Sequence, residues 1–108
     1  MRYLSETTKN ELDRLGYDSV PTNTRPDMTY LLYWNCPKHI TLSIVYIPKL
    51  SEDWLVVAFD RYKNESISLF DIEGFEIDEK GRAHFKNDED IIPFVEVLNS
   101  KIKRNFQF

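Results

Sequence analysis

Four apolar runs joined by short polar connections constrain the fold more than any other feature of this chain. In the second run Ile40, Leu42 and Ile44 alternate with Thr41 and Ser43, the period of two expected of a strand with one buried face. Connections this short join antiparallel neighbours, since a parallel crossover needs a dozen or more residues. The pattern predicts antiparallel strands over residues 28–35, 40–47, 54–59 and 67–72.

A further hairpin is predicted after these runs. Phe75 and Ile77 alternate with Glu76 and Asp78, and the tripeptide 79–81 ends in glycine, as hairpin turns often do, before residues 82–85. The stretch from Asp18 to Asp27 contains two prolines and an asparagine, and residues 61–65 are polar, so both are predicted to be connections. The sheet is expected to have four to five strands.

Residues 5–15 are predicted to form an N-terminal helix. Leu4, Leu12 and Leu15 fall on one helical face, and Thr8 and Glu11 have the spacing of a capping box. Gly16 follows as a C-terminal cap.

A second helix is predicted at the end of the chain, from about Asp90. Asn87 or Asp90 is the expected cap, and Pro93 is tolerated only near a helix start. An apolar stripe continues through Phe94, Val95, Leu98 and Ile102. The expected fold is therefore one α+β domain over residues 1–108, an antiparallel sheet flanked by an N-terminal and a C-terminal helix.

The chemistry-bearing residues predict neither a metal site nor a catalytic site. Cys36, His39 and His84 are the only Cys and His side chains, and a structural zinc site usually takes four such ligands. The glycines at 16, 74 and 81 are too scattered for a phosphate-binding loop, and no serine lies in a Gly-x-Ser-x-Gly elbow. No cofactor is expected, and both histidines are expected to face solvent.

The acidic side chains are concentrated in residues 71–90, which hold eight acidic and three basic groups in a chain of net charge −4. Negative charge disfavours nucleic acid and favours a basic protein partner. The predicted partner-binding residues are Asp71, Glu73, Glu76, Asp78, Glu79, Asp88 and Glu89. The competing surface is the sheet face, where the aromatic residues of the middle strands that are not needed for the core would suit an interface.

The termini and apolar runs predict a cytoplasmic protein. The N-terminus becomes polar within six residues, unlike a secretory signal, and the apolar runs are too short or too interrupted to cross a bilayer. The single cysteine suits a reducing compartment.

In size, acidity and helix–sheet–helix order, the chain resembles the small immunity proteins that bacteria keep against toxins of contact-dependent growth inhibition. The resemblance implies a non-enzymatic inhibitor that binds a cognate toxin, often a basic nuclease, and blocks its active site or a surface it needs. Two alternatives are a phage-type inhibitor that mimics nucleic acid, as some anti-CRISPR proteins do, and a small hydrolase using Glu73, Glu76 or His84.

Overall fold

A computed structural model describes residues 2–22 and 25–103. Along these residues one α-helix precedes seven strands and a second α-helix follows them. A short 3-10 helix, Asp88–Asp90, comes directly before the second α-helix. In chain order the elements are α1 (Glu6–Arg14), β1 (Asp18–Val20), β2 (Thr29–Asn35), β3 (Ile40–Tyr46), β4 (Trp54–Asp60), β5 (Glu65–Ser66), β6 (Glu76–Ile77), β7 (Ala83–Phe85) and α2 (Ile91–Lys101).

All strands belong to one antiparallel sheet with the order β1-β2-β3-β4-β7-β6, and β5 pairs with β4. The long strands β2, β3 and β4 match their predicted bounds within one residue. The predicted α+β fold is confirmed. The sheet has more strands than expected, since it includes β1 and β5. These strands were not predicted because they are short, polar segments with no apolar alternation.

Both helices cover the same face of the sheet, which we call the inner face. The buried side chains Ile40, Leu42 and Ile44 of β3 belong to one core cluster with Leu12 of α1 and Leu98 of α2. Each of these five side chains is at most 1% exposed. The alternation predicted for β3 and the apolar face of each helix are therefore confirmed. Neither helix is long and apolar enough to cross a membrane within the described part of the chain.

The ends of α1 are set by local hydrogen bonds. Ser5 is the N-cap, and its Oγ accepts a hydrogen bond from the Thr8 N–H; the predicted capping box beginning at Thr8 is wrong, because Thr8 lies inside the helix and is fully buried. At the other end Gly16 adopts a φ of 93°. Its N–H donates to Asp13 O, and the Tyr17 N–H donates to Leu12 O, the Schellman arrangement expected of a glycine cap.

The second helix, α2, begins at Ile91, so Pro93 lies in its first turn, where no intrahelical N–H bond is lost. Phe94, Val95 and Leu98 are fully buried and Ile102 is partly buried against the core, as predicted. Capping by Asn87 or Asp90 is wrong, because neither side chain makes a capping hydrogen bond.

The segment 67–72 is not a strand, contrary to the prediction. β5 stops at Ser66, and one further bond joins Ile67 N–H to Ala58 O. A longer β5 would have to pair with the part of β4 around Val56, and that position is taken by Ala83 of β7. The chain instead turns, burying Leu69 and Ile72 three residues apart.

The stretch 18–27 is not entirely a connection. Its first three residues form β1, which pairs with the outer edge of β2. β1 is exposed or half-buried throughout, so it lacks the buried positions that would have distinguished it from a loop in the sequence.

Candidate functional site

The face of the sheet opposite the helices, here called the outer face, is left uncovered and is partly apolar. Directly opposed residues share a face, and the register places Phe59 opposite Thr41 and Thr41 opposite Trp34. Val57 lies across from Ser43 in the neighbouring row. The exposed large apolar side chains on this face are Tyr30, Trp34, Val57 and Phe59, each with 36–40% of its surface exposed.

The aromatic residues of the middle strands are divided between the two faces. Tyr33 and Trp54 are buried on the inner face, and Tyr46 packs partly against the core. On the outer face the Arg61 guanidinium carbon lies 4.8 Å from the centre of the Trp34 ring, a cation–π geometry. The aromatic surface predicted as the competing interface is thus accessible.

The predicted acidic residues do not form one patch. Asp71 forms an ion pair with Lys101, which is the last residue of α2. Asp88 and Glu89 lie at the opposite end of this helix, just before its first residue. An 11-residue helix separates these ends by about 16 Å. Glu76 and Asp78 lie on or beside β6, at one edge of the sheet, and Glu79 lies in the turn that follows.

Three of the seven predicted carboxylates are already bonded within the chain. Asp71 pairs with Lys101, which lowers the Asp71 pKa. Asp78 and Asp88 each accept several hydrogen bonds from other residues of the chain. The other four predicted carboxylates, those of Glu73, Glu76, Glu79 and Glu89, are exposed and form no such bond or ion pair with any described residue.

Asp88 joins the start of α2 to the start of α1. Its Oδ2 accepts hydrogen bonds from the Ser5 N–H at 2.7 Å and from the Thr8 hydroxyl at 2.8 Å. Partial burial opposes ionisation, but these bonds lower the Asp88 pKa. The carboxylate therefore has a structural role at the α1 N-terminus, which also favours negative charge through the helix dipole.

His84 lies between two carboxylates on the outer face, so the prediction that it faces solvent is wrong. Its Nε2 is 2.7 Å from Asp78 Oδ2, and its Nδ1 is 3.1 Å from Asp53 Oδ2. Only 16% of its side chain is exposed. Glu76 is its direct cross-strand partner.

Asp78 is the best-anchored carboxylate of this cluster. Besides His84, it accepts hydrogen bonds from Arg82 Nε and from the backbone N–H groups of Lys80 and Arg82. Partial burial alone would raise its pKa, but these donors lower it well below the ordinary value. Burial would lower the His84 pKa, but the hydrogen bonds to Asp78 and Asp53 raise it.

The Cys and His residues considered as metal ligands are not brought together. Cys36 is exposed in the β2–β3 turn and His39 ends that turn with a φ of 55°. His84 is paired with Leu55 of β4, which is paired with Val45 of β3. Val45 is five residues along β3 from Ile40, the residue that follows His39. Five strand residues span about 16 Å, so these three side chains cannot share an ion.

Sequence reasoning missed Asp53 and the central position of His84. The pairing of Glu76 with His84 follows from the hairpin turn at residues 79–81, whose register could have been counted. Asp53 lies two residues before Leu55, the β4 partner of His84. The pairing of β4 with β7 joins segments that are far apart in sequence, and no local sequence pattern predicts it.

Comparisons with protein-family models, with curated proteins and with solved structures found no match to this chain.

Proposed function

We propose that this protein acts by binding another protein, as an immunity-type inhibitor of a basic, nuclease-type toxin. The observation that carries the proposal is the uncovered outer face, where Tyr30, Trp34, Val57 and Phe59 are exposed together. Exposed apolar side chains grouped on one surface are typical of interaction sites, and Tyr and Trp are enriched among the residues that dominate binding energy.

The charge at the β6 edge supports a basic partner. Glu76 projects from the outer face beside His84, and Glu79 follows in the adjoining turn. Their exposed carboxylates would raise the association rate of a positively charged surface, while the apolar centre of the face would provide most of the affinity. Asp78 and Asp88 contribute charge, but their carboxylates are held by groups of this chain.

The arrangement supports the two alternative functions less well. A nucleic-acid mimic needs many free carboxylates in one array, whereas here three of the seven predicted ones are bonded internally and the others are dispersed. For a hydrolase, both ring nitrogens of His84 are within hydrogen-bond distance of carboxylates, which leaves neither free to act on a substrate without rearrangement.

The test uses the purified product of the gene immediately upstream as the toxin candidate, with binding kinetics recorded across a salt series. We expect Trp34→Ala combined with Phe59→Ala to weaken binding at least 100-fold, mainly by raising the off-rate. Glu76→Gln combined with Glu79→Gln should slow association at low salt and have little effect at high salt.

Leu50→Ala is the matched control, because Leu50 is 56% exposed but lies in the β3–β4 connection. It should bind like the wild type. Binding that survives the Trp34/Phe59 change in a folded variant would refute the outer face as the interface. No binding or inhibition of the toxin candidate would refute the immunity function.

A further inference from the structure

Asp53, Glu76 and His84 bring three potential metal-ligating groups together on the outer face. They come from the residue before β4, from β6 and from β7. One ligand atom of each lies within 4.8 Å of the others. The register causes this convergence, because Glu76 and Leu55 flank His84 on either side and Asp53 lies two residues from Leu55.

The imidazole is oriented by a carboxylate outside this group. Asp78 Oδ2 lies 2.7 Å from His84 Nε2 and is itself fixed by Arg82 Nε at 2.8 Å. A metal-binding histidine almost always donates its second ring N–H to a carboxylate, carbonyl or water in this manner. With Nε2–H donated to Asp78, the lone pair of a neutral ring is on Nδ1, which points towards Asp53.

The spacing of the first two donors suits a shared ion. Nδ1 is 3.1 Å from Asp53 Oδ2. Ligands at about 2.1 Å from one ion lie about 3.0–3.4 Å apart in octahedral or tetrahedral geometry. Glu76 is exposed, and its carboxylate has no hydrogen bond or ion pair with any described residue, so it can rotate the remaining distance without breaking a contact.

The local charge also favours a divalent cation. Asp53, Glu76 and Asp78 place three negative charges around His84, and Arg82 provides one positive charge. Protonated His84 leaves this set at −1, whereas neutral His84 with a divalent ion brings it to zero. Arg2 and Lys86 line the cavity next to Asp53, but neither forms an ion pair with it among the described residues.

We propose that Asp53, Glu76 and His84 Nδ1 bind one divalent transition-metal ion of the zinc type. Imidazole with carboxylates suits such ions better than Mg²⁺ or Ca²⁺, which prefer oxygen-only sets. Binding displaces the Nδ1 proton to solvent, each carboxylate donates one oxygen, and water completes the coordination. This site does not depend on the proposed immunity function.

The experiment is calorimetric titration of the intact, chelator-treated protein with ZnCl2, in two buffers that differ in ionisation enthalpy. We expect one ion per chain, with release of a proton at a pH below the His84 pKa. Glu76→Gln should weaken binding at least 10-fold, and His84→Ala should abolish it. Asp78→Asn, which keeps the size of the orienting side chain and removes its charge, should weaken binding about 10- to 100-fold.

Two control variants distinguish this site from other zinc ligands. Glu79→Gln removes a neighbouring exposed carboxylate, and Cys36→Ser with His39→Ala removes the other soft ligands; both should bind zinc as the wild type does. Glu76→Gln changes an exposed side chain, so it keeps the test valid if His84→Ala fails to fold. The proposal is overturned if zinc does not bind below millimolar concentration, if Glu76→Gln binds normally, or if Cys36→Ser with His39→Ala abolishes binding.

Discussion

Replacing Asp88 by alanine should destabilise the fold, because its carboxylate holds the start of α1. The change removes hydrogen bonds from the Ser5 N–H and the Thr8 hydroxyl, at 2.7 and 2.8 Å. A hydrogen bond to a charged group contributes about 1.5–3 kcal/mol. Water can replace part of this at Ser5, whereas Thr8 is fully buried. We therefore expect a loss of about 2–4 kcal/mol in the free energy of unfolding.

That loss is large for a chain of 108 residues, whose total stability is expected to be about 5–15 kcal/mol. The assay is urea unfolding followed by tryptophan fluorescence, which reports on the fully buried Trp54. The adjacent exposed Glu89→Ala is the matched control and should cost less than about 0.5 kcal/mol. An unfolding midpoint for Asp88→Ala equal to that of Glu89→Ala would refute the assignment of Asp88 as a structural carboxylate.

The pH dependence provides a second check on Asp88. Its pKa is lowered in the folded state, so its contribution is complete above the unfolded value of about 3.9 and is lost as pH falls through the folded pKa. The stability difference between wild type and Asp88→Asn should therefore be constant from pH 7 to about 5 and shrink below about pH 4. A difference that grows on acidification would contradict this sign.

Two further changes test the packing of the helices. Leu98→Ala should cost about 2–5 kcal/mol, because Leu98 is fully buried in α2, whereas Val97→Ala, at a position 41% exposed, should cost less than about 1 kcal/mol; equal urea midpoints would show that α2 is not packed as described. Gly16→Ala should cost about 1–2 kcal/mol, since its φ of 93° is strained for alanine and its Cβ would approach Asn35 Nδ2 at 3.2 Å, and an unchanged melting temperature would exclude that strain.

Long elements with a regular pattern were predictable, because their signal is local. The alternation of β3 and the stripe of α2 each repeat over several residues, and the repeated positions are buried except the last one of the stripe, Ile102, which is half-buried. The segment 67–72 has comparable apolar content but turns away, because the sheet edge it would join is taken by β7. Two segments compete for the same edge of β4, and the sequence of either segment alone does not predict which of them pairs there.

The candidate site was only partly predictable for the same reason. The acidic composition of residues 71–90 indicated where charge is concentrated, but not that Asp88 would bind the start of α1 or that Asp71 would bind Lys101. These partners are 30 or more residues apart in sequence. Whether a carboxylate is free for a partner depends on such contacts.

The amino-acid sequence by itself determined the two helices, the three long strands and much of the core, because burial periodicity is a property of neighbouring residues. The tertiary structure alone decided which face of the sheet stays uncovered and which carboxylates remain free. It also decided that Asp53, Glu76 and His84 converge. That convergence depends on the pairing of β4 with β7, whose register is set by the packing of the whole core and by no local signal.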